Sequence, residues 1–369
     1  MQTPMATATS EAIDAASTQK LLAKVADWQL AHLQTIDYVN PIGRTRDPRG
    51  WIQGVFWLGL TASADQLQRP DYAAAIAQHG DGQQWQLGSR TYVADDQLIG
   101  QTYLWAYART HDAASIAPMA ASFDRVLTAP SAVSLDYGPL DASGQLACLQ
   151  RWCWADALFM APASWAGLSR ATGDPRYLAF AKTEVWATLQ KLYDPQEHLM
   201  FRDSRFLTQR DAGGNKIFWN RGNAWVLAGL ANFLKAMPDT DPDRAEFTRT
   251  FQEMARRIAG LQRADGSWPS SLLAKDVDQP GDTSGNALFV YALAWGARTG
   301  VLDRAAFAPI VTRGWRHLTQ AVDGDGRVGW VQQIGDSPHV PSQQDTQLYG
   351  SGAVLLAGSE ILKLYPARP

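Results

Sequence analysis

Apolar residues recur along this chain at three- to four-residue intervals and almost never in strict alternation, so the pattern predicts helix after helix and essentially no sheet. About twelve helical segments follow, at 17–35, 49–65, 70–80, 93–111, 113–128, 152–172, 175–192, 221–237, 242–262, 284–299, 303–320 and 347–364. Alternate segments share a character. GVFWLGLTAS from Gly54, IGQTYLWAYART from Ile99, DALFMAPASWAGLSRATGD from Asp156, GNAWVLAGLANFL from Gly222, GNALFVYALAWGARTG from Gly285 and GSGAVLLAGSEIL from Gly350 are apolar on nearly every face. A helix of that kind must be buried on all sides, and its Gly and Ala residues let neighbours approach closely. Between them lie amphipathic helices that open with Asp or Pro, as at Pro70, Gly173, Asp241 and Leu302. Six buried helices alternating with six half-exposed ones, at a spacing of roughly 45 to 65 residues, fit a closed ring of helical hairpins, an all-α (α/α)6 barrel. A straight solenoid is the alternative; it prefers shorter repeats of constant length and partners of equal burial.

The 369 residues contain no linker-like stretch or block of charge, so residues 17–369 are expected to form a single barrel domain behind a disordered or extended segment 1–16. A net charge of -3 and no basic run of five or more residues exclude a nucleic-acid surface. Composition is 46% hydrophobic, yet no uninterrupted apolar run is long enough to span a bilayer, so a soluble protein is expected. Cys148 and Cys153 are the only cysteines and leave room for one bridge but not for a Cys-rich zinc site. The six histidines are scattered, so neither a metal nor a cofactor is expected. The first twenty residues lack a basic segment followed by an apolar one, which leaves periplasm and cytoplasm both open, and the expected state is a monomer or weak homo-oligomer.

In such a barrel the N-terminal ends of the inner helices surround one mouth, and polar residues embedded in aromatics recur there. Tyr92 to Gln97 contains Asp95 and Asp96; Trp154 and Asp156 precede the third inner helix; Trp219, Arg221 and Trp225 flank the fourth; Ser284 opens the fifth. Aromatic walls with a few directional polar groups suit a sugar, whose C–H faces pack on rings while its hydroxyls need partners. Two carboxylates sharing the cavity would separate their pKa values and leave one protonated near neutrality. A plainer reading stands beside this one. Asp95, Asp96 and Asp156 all lie where helices begin and are equally suited to capping, Arg221 to a structural ion pair, and the tryptophans to the core.

The segments WADALFMAPASWAGLSRATGDPRYL, FWNRGNAWVLAGL and ADDQLIGQTYLWAY resemble those of the unsaturated glycuronyl hydrolases of glycoside hydrolase families 88 and 105, over about residues 51–364. The resemblance implies an (α/α)6 barrel that acts on products of polysaccharide lyases. In that chemistry an aspartic acid protonates C4 of a 4,5-unsaturated uronate, water adds at C5, and the hemiketal opens to expel the remaining sugar. It lies outside the usual retaining and inverting schemes. The resemblance places the general acid on Asp156 and the second aspartate at Asp95 or Asp96, with Asp96 favoured. It makes Arg221 and Trp225 a substrate-binding pair. Where many members carry a histidine in a Leu-Tyr-Tyr-His segment, this chain reads Leu199-Met200-Phe201-Arg202-Asp203-Ser204, so Arg202 stands in the histidine's place and faces either an anionic sugar or its neighbours Asp203 and Arg205.

Asp156 and Asp96 are thus the expected catalytic pair, with Asp95, Arg202, Trp219, Arg221, Trp225, Trp154 and Ser284 as substrate contacts and an unsaturated uronate-terminated oligosaccharide as the ligand. An inverting glycosidase or sugar epimerase on the same barrel, or a non-catalytic sugar-binding barrel, are the competing readings. None of the six histidines lies in the mouth segments, which disfavours an epimerase, and a binding module has no use for a retained buried acid.

Overall fold

In chain order the helices of the computed structural model are α1 (Ala15–Ala31), α2 (Trp51–Leu67), α3 (Pro70–Gly82), α4 (Gly100–Thr110), α5 (Ala117–Thr128), α6 (Ala157–Met160), α7 (Pro162–Thr172), α8 (Pro175–Leu192), α9 (Asn220–Ala236), α10 (Arg244–Gly260), α11 (Thr283–Thr299), α12 (Arg304–Thr319) and α13 (Leu348–Leu364). The structure describes residues 13–33, 47–138, 140, 144, 146–274 and 280–366. Helix α1 begins at Ala15; residues 1–12, and residues 34 and 35 of the first expected helix, lie outside the described part.

Contacts between helices close a ring: α2 touches α4, α4 touches α7, α6 and α7 touch α9, α9 touches α11, α11 touches α13, and α13 returns to α2. These are the segments expected to be apolar on every face, and nearly every residue of α9, α11 and α13 is buried. The more polar α3, α8, α10 and α12 pack against the inner helices α2, α7, α9 and α11 that precede them, and α1 lies against α13 and α2. Glycine sets how tightly the ring closes. A Cβ on Gly352 would lie 2.3 Å from the Val55 carbonyl oxygen and one on Gly229 2.2 Å from that of Leu158, so at both points backbone packs on backbone.

Two expected helices are subdivided. Residues 93–111 are a 3-10 turn, Ala94–Gln97, followed by α4. Residues 152–172 give an extended entry, the single turn α6, and then α7, because Pro162 supplies no N–H and restarts the helix as its first residue. Asp14, Asp174, Asp282 and Asp303 cap the helices that follow them through their side chains, and Gly173 and Gly300 end α7 and α11 at φ values of 77° and 80°. Cys148 and Cys153 form a disulfide. A two-residue antiparallel pairing, β1 (Tyr193–Asp194) with β2 (Leu199–Met200), leads into the Arg202 segment. Among the described residues no helix is long and apolar enough to cross a membrane.

Candidate active site

The N-terminal ends of α2, α9, α11 and α13 lie together, with Trp51 against Tyr349 and Trp225 and Gly285 against Asn220, and the partial positive charge of unpaired N–H groups there favours an anion. Asp156 sits in the turn that opens α6. Two backbone contacts bring its partner alongside: Ala155 N donates to Arg202 O at 2.8 Å, and Trp154 pairs with Asp203 as an isolated antiparallel bridge. The guanidinium of Arg202 thereby lies with Nε 3.6 Å from Asp156 Oδ2. Although Asp156 occupies the backbone position of an N-cap, its side chain caps nothing. Its Oδ2 and Arg202 Nε are both buried without a hydrogen-bond partner among the described residues. Orphaned polar atoms are rare in folded proteins and mark places where a partner is expected to arrive. Burial raises the Asp156 pKa, and the cations Arg202 and then Arg221 pull it back.

The two aspartates before α4 have different surroundings. Asp96 accepts from Arg90 N at 2.7 Å and from Arg90 Nη2 at 2.6 Å, while its backbone oxygen takes Gly88 N at 2.9 Å. It clasps the 88–96 loop, and both oxygens of the aspartate expected as the second working carboxylate are engaged by Arg90. The neighbouring Asp95 is half-buried and has its pKa pushed up to about 7, first by burial, then against the pull of Arg90, by the charges of Asp96 and Asp156. The charge of Asp156 is among those that raise Asp95.

Arg221 also departs from expectation. Its Nη1 donates to Gln332 O at 2.5 Å and its Nη2 to Gln333 O at 3.0 Å, with Asp282 Oδ2 3.4 Å from Nη1. The fork meant for a uronate carboxylate is spent on two backbone carbonyls of the 330–339 loop, leaving only Nε unpartnered. Trp219 is tied to the same loop by Nε1 to Gln332 Oε1 at 3.0 Å and lies beneath the Arg221 guanidinium, 4.6 Å from its ring centre. Trp154, Trp219 and Trp225 are 3%, 2% and 1% exposed, so none presents a face to a sugar ring. Ser284 is fully buried, its hydroxyl donating to Asp282 at 2.7 Å. These four are framework around the mouth.

Arg202 makes the local contact expected of it, donating to Asp203 Oδ2 at 2.8 Å, and also lies beside Asp156. Asp203 is wholly buried and additionally receives Arg205 Nε at 2.9 Å and Arg205 Nη2 at 2.7 Å, and the latter nitrogen reaches Asp336 at 2.8 Å. Both guanidinium groups lie over Tyr137, at 5.1 Å and 4.0 Å. Asp336, Tyr137, Gln332, Tyr349 and Trp51 complete the surroundings, and none of these five is among the site residues expected from the sequence. Tyr349 donates to Gln332 O at 2.6 Å and stacks on Trp51 at 5.0 Å, and Trp51, unlike the buried tryptophans, is only partly covered. Both open inner helices, so the position rule that picked out Asp156 and Arg221 also reaches them; the 330–339 loop carried no such signal. Among the described residues no group of three His, Cys, Asp or Glu side chains could hold a metal.

The model of glycosyl hydrolase family 88 matches residues 21–365. An unsaturated 3S-rhamnoglycuronyl hydrolase of Alteromonas sp. (strain LOR) is 37% identical over 94% of this chain and 86% of its own. A protein of the same name from Formosa agariphila is 36% identical over 93% and 90%. A solved family 88 glycosyl hydrolase from Bacteroides vulgatus superposes with a TM-score of 0.81 at 26% identity, covering 95% of this chain and 100% of that one. Joined to the ring of six inner helices and the buried acid at its mouth, these matches mean that the chain belongs to glycosyl hydrolase family 88 and is a glycoside hydrolase.

Proposed function

We propose that the enzyme removes a 4,5-unsaturated uronic acid from the non-reducing end of an oligosaccharide, with rhamnose as the residue released. The observation that carries this reading is the buried, unpartnered Oδ2 of Asp156 beside the Arg202 guanidinium, with Asp95 as a second carboxylate of raised pKa. The rhamnosyl preference is carried over from the names of relatives at 36–37% identity. Asp156, kept protonated by burial, donates its proton to C4 of the vinyl ether. Positive charge develops at C5 and is shared with the ring oxygen. Water adds at C5 and returns a proton to the Asp156 carboxylate, and the hemiketal opens to release the sugar. Ionisation of either Asp95 or Asp156 opposes ionisation of the other, so the pair adds to the burial that already raises the Asp156 pKa. Arg202 binds the uronate carboxylate through the nitrogen it now turns toward Asp156, and the partly exposed Trp51 gives the sugar an apolar face.

In this reading residues 17–369 work as one catalytic domain, a monomer or weak homo-oligomer with no nucleic-acid partner, metal or cofactor. The test is to mix the enzyme with unsaturated uronyl disaccharides ending in rhamnose, 3-sulfated rhamnose, glucosamine or xylose, and to follow the ultraviolet band of the conjugated vinyl carboxylate. Loss of the band fastest with the rhamnosyl pair supports the proposal. Persistence of the band while the glycosidic bond of a saturated glycoside is cut would replace it with ordinary glycosidase chemistry.

A further inference from the structure

We propose that the opposite mouth of the barrel is a second binding site, for a small organic anion with an apolar body whose carboxylate seats on Lys235. A cavity of about 690 Å³ opens there, among the C-terminal halves of the inner helices, a size ordinary for pockets that enclose small molecules. Helix α2, with 17 residues, separates the two mouths by about 25 Å, so this space is not an extension of the active site. Its walls are largely apolar, with Leu58, Leu104, Trp105 and Leu356 among them, and its rim carries Arg170, Lys363 and Asp65, the last held by Arg109.

The floor is a polar chain that is nearly closed on itself. Gln101 donates to Phe159 O at 3.0 Å, Asn232 to Gln101 at 3.4 Å, Tyr291 to Asn232, and Lys235 Nζ to Tyr291 Oη at 2.6 Å. Two donors remain under-used. Ser359 Oγ, which lines the cavity, is buried without a partner among the described residues. The Lys235 ammonium has three N–H groups and, beyond Tyr291, a long 3.4 Å bond to Glu360 and the Trp295 ring 5.8 Å away. Glu360 is itself shared, with Arg298 at 2.9 Å and Lys363 at 3.0 Å, so three cations surround one buried carboxylate. An added anion would restore balance.

Helix C-termini point at this mouth and would oppose an anion, but other cations serve them. Arg170 caps α9 through Lys235 O at 2.7 Å and Ala236 O at 2.8 Å, and Arg109 donates to Trp105 O at 3.2 Å. Lys235 is thereby left for the cavity. Burial between apolar walls lowers its pKa against the pull of Glu360, an imbalance that a bound carboxylate would relieve.

The experiment is titration calorimetry of the full chain with 4-phenylbutyrate and with its neutral amide, 4-phenylbutyramide, in the wild type and in the Lys235→Met and Ala108→Trp variants. Ala108 lies on the exposed rim of the cavity, so its replacement plugs the opening without disturbing the core, and cooperative thermal unfolding confirms that each variant is folded. The carboxylate should bind the wild type at least about tenfold more tightly than the amide, the worth of a charge-assisted hydrogen bond. Lys235→Met should erase that preference, and Ala108→Trp should weaken both probes. Equal binding of acid and amide, binding unchanged by Ala108→Trp, or no binding of the carboxylate to the wild type would each overturn the proposal; if Lys235→Met does not fold, the acid-to-amide ratio and the Ala108→Trp result decide it.

Discussion

Replacing Asp95 by Asn should stabilise the protein at alkaline pH and leave its stability unchanged in acid. In the folded chain the Asp95 pKa is pushed from 3.8 to about 7, chiefly by burial and then by the charges of Asp96 and Asp156. A carboxylate whose folded pKa exceeds its unfolded one binds more protons folded than unfolded between those values. Stability is therefore fully present below about pH 4 and is lost as pH rises through about 7. At about 1.4 kcal/mol per pH unit, the interval from 3.8 to 7 sets an upper bound of about 4 kcal/mol. Asp95 is only half-buried, so solvent screens its charge, and Asp156 relaxes when its neighbour is neutralised; about 1–2 kcal/mol is the expected gain. Urea unfolding of both proteins at pH 5 and pH 8 measures it. At pH 5 the folded chain still holds the Asp95 proton but the unfolded chain has already released it, so the variant should lead by roughly a third of the full difference, which is reached by pH 8. Groups that do not interact with Asp95 are common to both proteins and cancel in the difference, whereas Asp96 and Asp156, which share its charge, contribute to it. Parallel stability curves from pH 4 to pH 8 would show that Asp95 carries no strained charge and does not couple to Asp156.

Asp156→Asn should keep the fold and lose on the order of 10² to 10⁴ in kcat, since the shape is retained and only the proton donor goes; turnover near the wild-type level in the folded variant removes Asp156 from the chemistry. Arg221→Lys should cost roughly 1.5–3 kcal/mol of stability by giving up bonds to Gln332 O and Gln333 O, and should slow an unsaturated uronate and its methyl ester alike; a penalty confined to the free acid would return Arg221 to the role of carboxylate clamp. Gly229→Ala places a Cβ 2.2 Å from Leu158 O, in the turn that follows Asp156, and should cost about 1–3 kcal/mol while lowering kcat more than it raises KM. A variant with wild-type melting temperature and kcat would mean that α6 and α9 separate without cost.

Periodicity alone was enough to read the barrel from the sequence. Segments such as GNALFVYALAWGARTG have no polar face to leave in water, so they must be surrounded, and six of them alternating with amphipathic partners admit few arrangements other than a closed ring. The burial of Asp156 was legible for a related reason, because it lies in a run of aromatics that must face inward. The choice between Asp95 and Asp96 was not legible. Adjacent residues in a 3-10 turn point in different directions, and which of them meets Arg90 depends on how the 88–96 loop folds back, with Gly88 N closing on Asp96 O. The partners of Arg221 were hidden for the same kind of reason. A guanidinium at the start of an inner helix looks free in the sequence, and only the tertiary structure brings the carbonyls of Gln332 and Gln333, 111 and 112 positions away, to occupy it. Local patterns govern which residues are buried and which begin helices, because those depend on a residue and its near neighbours. Hydrogen-bond partners across more than a hundred residues depend on the whole ring having closed, and that is where the division between framework and working groups was decided.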